Sequence, residues 1–387
     1  MRTIVIAIFT SPEYLAPVMD AIYLLSKEFK VVVVSRNAKP LNYLYPENVV
    51  IYRIGSPVDF GEYYIPLYKK IFDCLKFICK LRQELKRAEV SLLFCYDLLG
   101  FVAGCIASRF LPKKPIVYHQ NETRLLSEIP KRRFLYWIKR LEICFLRSVD
   151  ILSFPEPNRA KLFLKDANSN KDVTIIENCP PKLLQVPSMT QEMENLKLSG
   201  HRIVLHRGPI GMGNTIDIHE AIYSIKFWPS DAIFVILGLR TNEEEEACKK
   251  IIKQENLEGR VIFIPFVPTQ NELLQYTASA DVGLVLYKPI EVNRKYVAPC
   301  KLYDYLACGV PVIVPKSLPY LSEMVNRLGV GLSYFESTSE AIGKTICELL
   351  ERPDRKKMGE KARQAHLSNL NFETQFAPLF EAIRNAI

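Results

Sequence analysis

Short runs of β-branched and other apolar residues alternate with longer stretches of helical periodicity along this chain, and no other feature constrains its fold as much. TIVIAIF (3–9), VVVVS (31–35), Val49–Ile54, SLLFCYD (91–97), Pro115–Tyr118, Asp150–Phe154 and Val173–Ile176 read as strands. Several lack a two-residue alternation, as expected of strands covered on both faces. Helical patterns fall between them at about 15–28, 66–87 and 98–110. Asn178-Cys179-Pro180-Pro181 marks an exit from regular structure, and the polar, breaker-rich Pro187–Gly200 reads as an interdomain linker. The alternation then restarts with Ile203–His206, Ile233–Leu237, Val261–Phe266, Val282–Tyr287 and Val310–Val314. Strand–helix alternation predicts open parallel sheets. At 387 residues the chain is long enough for two such domains.

Composition narrows the class. Hydrophobic residues make up 49% and charged residues 24%, as in globular proteins with substantial cores. The first residues, MRTIVIAIFTSPEY, read as a buried strand and not as a secretory signal, and no stretch approaches the roughly 18 apolar residues of a membrane span. The ten cysteines form no C-x-x-C pair and have no His partners, so zinc and a disulfide framework are not expected and a reducing cytoplasm is. Residues 1–200 hold 29 Lys/Arg against 20 Asp/Glu, whereas residues 201–387 hold 22 of each. The whole positive excess therefore lies in the first half, which points to an anionic partner there.

The run Ala280–Pro315 carries the most chemistry. It reads as strand, polar loop, short helix and strand, with Pro299 suited to the first helical turn and Gly309 to its left-handed stop. A helix opening at the carboxyl end of a strand directs N–H groups and a positive dipole end into a crevice, which suits a phosphate. Lys301 adds a charge, and Asp304, three residues on, could accept hydrogen bonds from sugar hydroxyls. The same spacing also fits an ordinary surface ion pair. Earlier, strand 203–206 runs into Arg207-Gly208-Pro209-Ile210-Gly211-Met212-Gly213, a glycine-rich turn that allows close approach to a ligand without matching the dinucleotide fingerprint.

The pattern P-x-K-L-Y-D-Y-L-A-x-G-V-P-V-I over 299–313 resembles the C-terminal signature of GT-B glycosyltransferases, especially the retaining family 4. The resemblance implies two Rossmann-like domains with parallel sheets facing a central cleft: 1–187 on the acceptor side and 198–371 binding a nucleotide sugar. A final helix, 372–387, would cross back to the first domain. It implies that Asp304, usually Glu in the family, holds the ribose and that Leu302 belongs to the same nucleotide site. The Glu expected eight residues before Asp304, a donor-sugar contact in the family, is Tyr296 here, so Asn293 and Tyr296 become the donor-sugar candidates. Arg207, Gly208, Gly211 and Lys301 are the diphosphate candidates. In the first half the family places a His or His-Glu after the strand 115–118. VYHQNET offers His119 itself, or Asn121-Glu122 in that place, so His119 and Glu122 are the catalytic candidates. Asp97 could cap the following helix or meet a ligand. The family's glycine pair in the first loop is replaced by Ser11-Pro12-Glu13-Tyr14.

No Asp-x-Asp occurs, so no metal and no cofactor beyond the nucleotide-sugar co-substrate are expected. The resemblance implies front-face transfer, in which the departing phosphate takes the acceptor's proton. The expected protein is a cytoplasmic, metal-independent hexosyltransferase that acts on a glycan or lipid-linked acceptor. The alternatives are a nucleotide-sugar epimerase on the same architecture and a non-catalytic nucleotide- or partner-binding subunit.

The segment Lys131–Arg147, KRRFLYWIKRLEICFLR, sets Phe134, Leu135, Ile138, Leu141 and Phe145 at helical spacing beside Arg132, Arg133, Lys139 and Arg140. It predicts a helix packed on the sheet through its apolar residues, with a solvated basic face. That face also suits anionic lipid headgroups and a peripheral position at a membrane. Nucleic acid is not expected, since the segment belongs to no repeat or known module.

Overall fold

The computed structural model describes residues 1–38, 43–58, 66–208, 216–239, 242–267 and 269–387. Its chain divides into two units, 1–177 with 372–387, and 178–371. The first is built from β1 (Thr3–Ile8), α1 (Ala16–Ser26), β2 (Lys30–Ala38), β3 (Val49–Val58), α2 (Leu67–Leu85), β4 (Val90–Tyr96), α3 (Asp97–Ser108), β5 (Ile116–His119), α4 (Phe134–Phe145), β6 (Ile151–Phe154), α5 (Pro157–Asp166) and β7 (Val173–Ile175). The strands form one parallel sheet in the order β3-β2-β1-β4-β5-β6-β7. Chain direction along the sheet reverses between β1 and β4, the switch point at which open parallel sheets leave a crevice.

β1 explains why its strand pattern is unbroken by polar residues. Val5 and Ala7 enter the core under α2 and α3, while Ile4, Ile6 and Ile8 enter the core under α1. The helix α3 lies hard against β1 because Gly100 has no side chain; a Cβ there would sit 2.5 Å from the carbonyl oxygen of Ala7. Gly100→Ala is therefore expected to push α3 off the sheet and cost about 1–3 kcal/mol, readable as a fall in the urea midpoint at constant slope.

The second unit comprises α6 (Gln191–Leu198), β8 (Arg202–Arg207), α7 (Ile218–Tyr223), β9 (Ala232–Leu239), α8 (Asn242–Gln254), β10 (Val261–Pro265), α9 (Gln270–Ala278), β11 (Val282–Leu284), α10 (Val292–Lys295), α11 (Cys300–Ala307), β12 (Val312–Pro315), α12 (Pro319–Leu328), β13 (Gly331–Tyr334), α13 (Ser339–Glu351) and α14 (Arg355–Ser368). Its parallel sheet runs β10-β9-β8-β11-β12-β13, with the switch point between β8 and β11. The final helix, α15 (Phe372–Ala386), returns to the first unit. It buries Phe372, Phe376, Leu379 and Ile383 beside Val18, Ile22 and Leu25 of α1, and Arg384 pairs with Glu28.

The stretch 187–200 is not the linker expected from its composition. The units divide at Glu177–Asn178, and 191–198 is helix α6 of the second unit. Thr190 accepts the Met193 N–H at 3.4 Å as its cap, and Met193 is fully buried against β8 and its neighbours. One buried methionine and one cap outweigh the polar composition. Among the described residues no helix is long and apolar enough to cross a membrane.

Candidate functional site

The site in the second unit forms where β8, β11 and α11 meet. The helix α11 is anchored by Tyr305, whose hydroxyl donates to the Leu205 carbonyl at 2.9 Å. Its ring packs where Gly283 leaves space; a Cβ on Gly283 would lie 2.5 Å from the ring. Gly309, at φ +71°, ends the helix as expected, and the Val310 N–H closes on the Tyr305 carbonyl at 2.9 Å. This anchoring points the first turn of α11 toward the end of β8.

Asp304 is fully buried and does not pair with Lys301. Its Oδ2 takes the Arg207 guanidinium, and Gln270 Nε2 donates to its Oδ1 at 3.3 Å. Arg207 is buried too, and its second guanidinium nitrogen donates to Thr277 Oγ1 at 3.2 Å. The surface-pair reading is overturned, because both partners of the ion pair lie inside and Lys301 takes no part. Two of the expected ligand-binding groups, Arg207 and Asp304, hold each other.

Among the described residues Lys301 is left as a free cation. Its ammonium is buried, has no hydrogen-bond partner among the described residues, and sits 4.9 Å from the centre of the Tyr287 ring. Arg294 stacks on the same ring at 5.6 Å. Gly208 approaches so closely that a Cβ there would be 3.5 Å from the ammonium, and its φ of +90° favours glycine. Burial first, then the charges of Arg207 and Arg294, push Lys301 down to about 7. His206, one residue before Arg207, is fully buried with neither ring nitrogen partnered among the described residues, and burial plus the Lys301 and Arg207 charges keep it neutral. A buried cation without a counterion is costly unless an anion completes it. The chemistry that fits is a phosphate-bearing ligand.

The other expected residues in this unit fall around that centre. Leu302 is core and contributes packing. Asn293 lies in the single turn α10, and Tyr296 ends it, with Lys295 5.5 Å from its ring centre. Gly211 lies outside the described residues. Buried Asp217 pairs with partly exposed Lys288 at 3.1 Å, a contact for which sequence spacing gave no signal.

The first unit has its own cavity of about 300 Å³ at the β1/β4 switch point, lined by Phe9, Asp97, Gln120, Glu122, Leu135 and Glu142 among others. Asp97 adopts φ +55° and does not cap α3. Instead its Oδ1 accepts the N–H groups of Asn121 (2.7 Å) and Glu122 (3.1 Å), fastening the segment after β5. Burial, opposed by these hydrogen bonds, raises Asp97 to about 7. His119 is buried with both nitrogens engaged, Nδ1 with Ser153 Oγ at 2.9 Å and Nε2 with Asn121 Oδ1 at 3.2 Å, and burial lowers it to about 4. His119 is thus a neutral, positioned side chain, while Glu122 is exposed at the cavity rim. The first loop is locked by Glu13, which takes Arg53, Ser11 and Tyr45.

The helix α4 departs from expectation. Lys139 is buried beside Glu142 at 2.5 Å, inside a network in which Gln120 donates to Glu142 at 2.7 Å and Tyr118 donates to the same carboxylate. Phe134 and Leu141, expected on the sheet side, are exposed together with Trp137. Lys139 therefore leaves the basic face, and two apolar residues join it.

Two doubly wound parallel sheets, one carrying an anion-seeking centre at its switch point, define the GT-B class. Residues 217–365 match the family described as Glycosyl transferases group 1. Among solved structures the chain is similar to sucrose-phosphate synthase from Thermosynechococcus elongatus (16% identity, TM-score 0.73, covering 100% of this chain and 99% of that one). It is also similar to HepE from Anabaena, solved with UDP and glucose (16%, 0.73, 99% and 100%). WaaG, a glycosyltransferase of lipopolysaccharide biosynthesis, is a third (13%, 0.65, 98% of each). No curated protein matches the sequence. The chain has the GT-B fold, and the Glycosyl transferases group 1 match lies in its second unit.

Proposed function

We propose that the protein transfers a hexosyl group from a nucleoside diphosphate sugar, a UDP-sugar, to a glycan or lipid-linked acceptor with retention of configuration and without a metal. The observation that carries this reading is the buried Lys301 ammonium at the mouth of α11, unpartnered among the described residues. A diphosphate there would complete the cation, assisted by the helix end and by Arg294. The Arg207–Asp304 pair forms the floor, and the carboxylate keeps lone pairs for the ribose. In this reading Asn293 and Tyr296 serve the donor sugar, and His119 and Glu122 are the catalytic candidates of the first unit.

In the transfer, the bond from the anomeric carbon to the phosphate oxygen breaks as the bond to the acceptor oxygen forms on the same face. The acceptor's proton passes to the departing phosphate, whose charge Lys301 stabilises. No protein nucleophile is required. The UDP carried by the HepE structure supports the choice of base, and WaaG, of lipopolysaccharide biosynthesis, supports a role in glycoconjugate synthesis. A nucleotide-sugar epimerase is the second reading, favoured by the likeness to a putative UDP-N-acetylglucosamine 2-epimerase from Listeria monocytogenes (15% identity, TM-score 0.62, 100% and 96% covered). Incubation with labelled UDP-sugars and membrane extract separates them: label on an acceptor supports transfer, and interconverted UDP-sugar without acceptor overturns it.

Lys301 also sets a pH dependence. Its folded value, about 7, lies below the ordinary 10.5, so the free protein is most stable above 10.5 and loses that stability as pH falls toward 7. A bound diphosphate restores the proton. Binding is therefore expected to take up a proton above pH 7, and affinity to fall by up to about tenfold per pH unit there. Calorimetry at pH 8 in buffers of different ionisation enthalpy measures that uptake directly.

A further inference from the structure

Apolar side chains exposed on the first unit are concentrated on one helical layer. The helices α2, α3 and α4 cover the same face of its sheet. On α2, Tyr68, Ile71, Phe72 and Leu75 are exposed at i, i+3, i+4 and i+7; on α4, Phe134, Trp137 and Leu141 are exposed at i, i+3 and i+7. These are the spacings of an apolar stripe, here turned to solvent. Each stripe is interleaved with cations. Lys76 stacks on Phe72 at 4.4 Å, and Arg140 on Trp137 at 5.6 Å. Lys69, Lys70, Arg132 and Arg133 are exposed beside them. Residues 66–147 hold 17 Lys/Arg against 7 Asp/Glu, so the charge excess of the chain is concentrated in this layer.

Position adds a second argument. A helix that follows a parallel strand starts at that strand's carboxyl end, so the exposed stripes begin at the sheet edge where the switch-point cavity lies. The helix α4 serves both: Leu135, Lys139 and Glu142 line the cavity, and Phe134, Trp137 and Leu141 face outward. Aromatic and aliphatic side chains ringed by basic ones match the interface of an anionic bilayer, where rings enter the headgroup region and cations meet phosphates.

We infer that the outer face of α2 and α4 docks the protein on an anionic lipid surface and sets the switch-point cavity beside it, so that the acceptor is one carried by the membrane. The docking surface stands by itself; the choice of acceptor rests on the proposed transfer reaction.

The protein holds two tryptophans, and they differ usefully: Trp137 is 56% exposed and Trp228 is 6% exposed. The full chain is mixed with vesicles of phosphatidylcholine containing 30% phosphatidylglycerol, some carrying brominated acyl chains. The expected result is flotation with the vesicles, quenching of the Trp137 emission that Trp137→Phe abolishes, and loss of binding in high salt. Arg132→Glu, Arg133→Glu and Arg140→Glu together are expected to weaken partitioning about a hundredfold, and Phe134→Ser with Trp137→Ser about tenfold. All five positions are exposed, and nucleotide affinity of the variants checks that they fold. Absent flotation at low salt, equal binding to pure phosphatidylcholine, or unchanged Trp137 emission on bound vesicles overturns the surface. A lipid-free dimer that buries Trp137 would also overturn it by assigning the face to a second copy. With any nucleoside diphosphate sugar that binds, labelled sugar is expected in the organic phase of a vesicle reaction containing membrane lipid extract; label only on soluble glycans overturns the acceptor assignment while leaving sugar transfer intact.

Discussion

Asp304→Ala is expected to destabilise the second unit by about 3–5 kcal/mol. Arg207 and Asp304 are both buried, and removing the carboxylate leaves a guanidinium with only Thr277 as a hydrogen-bond partner among the contacts described above. Burying a lone charge is far more costly than never having built the pair. The double variant Arg207→Met with Asp304→Leu is therefore expected to be near neutral or more stable than Asp304→Ala by several kcal/mol, since an apolar replacement leaves no orphan. Urea unfolding of the three proteins measures both terms. A loss below about 1 kcal/mol for Asp304→Ala would mean the pair is solvated, as for a surface bridge.

Lys301→Met should behave in the opposite way. Its ammonium has no counterion among the described residues, so replacing it with an apolar side chain of similar length is expected to keep or raise stability while keeping the stem packed on Tyr287. Nucleoside diphosphate binding is expected to fall by about 1.5–3 kcal/mol, on the order of 10- to 100-fold, the value of a charge-assisted hydrogen bond. A variant that gains stability and loses ligand identifies a residue retained for binding. A variant that loses both would identify a structural lysine.

Much of this was legible in the sequence, and the parts that were not share a cause. Strand runs such as 31–35 and 91–97 carry their own signal because a doubly covered strand is apolar throughout. The turn at Gly309 and the placement of Lys301 near the opening of α11 are likewise local. The partner of Asp304 is not local: Arg207 lies 97 positions earlier, and only the sheet brings the end of β8 to α11. Periodicity failed on α4 for a different reason. A stripe at i, i+3, i+7 states that a helix has an apolar face without stating whether that face turns inward, and Phe134, Trp137 and Leu141 turn outward. Lys139 and Glu142 could be read as a basic and an acidic surface residue, yet their three-residue spacing lets them neutralise each other inside the fold. The segment 187–200 misled through composition, because helix α6 needs only Met193 and a Thr190 cap to hold it on the second unit.

Calorimetric titration of UDP, GDP and ADP into the wild-type protein and Lys301→Met at pH 7 tests the central claim most directly. At least one nucleotide is expected to bind the wild type, with affinity at least about tenfold weaker in a folded Lys301→Met protein. Binding left unchanged by Lys301→Met, or no binding of any of the three to the wild type, would contradict the assignment of this centre as the donor site.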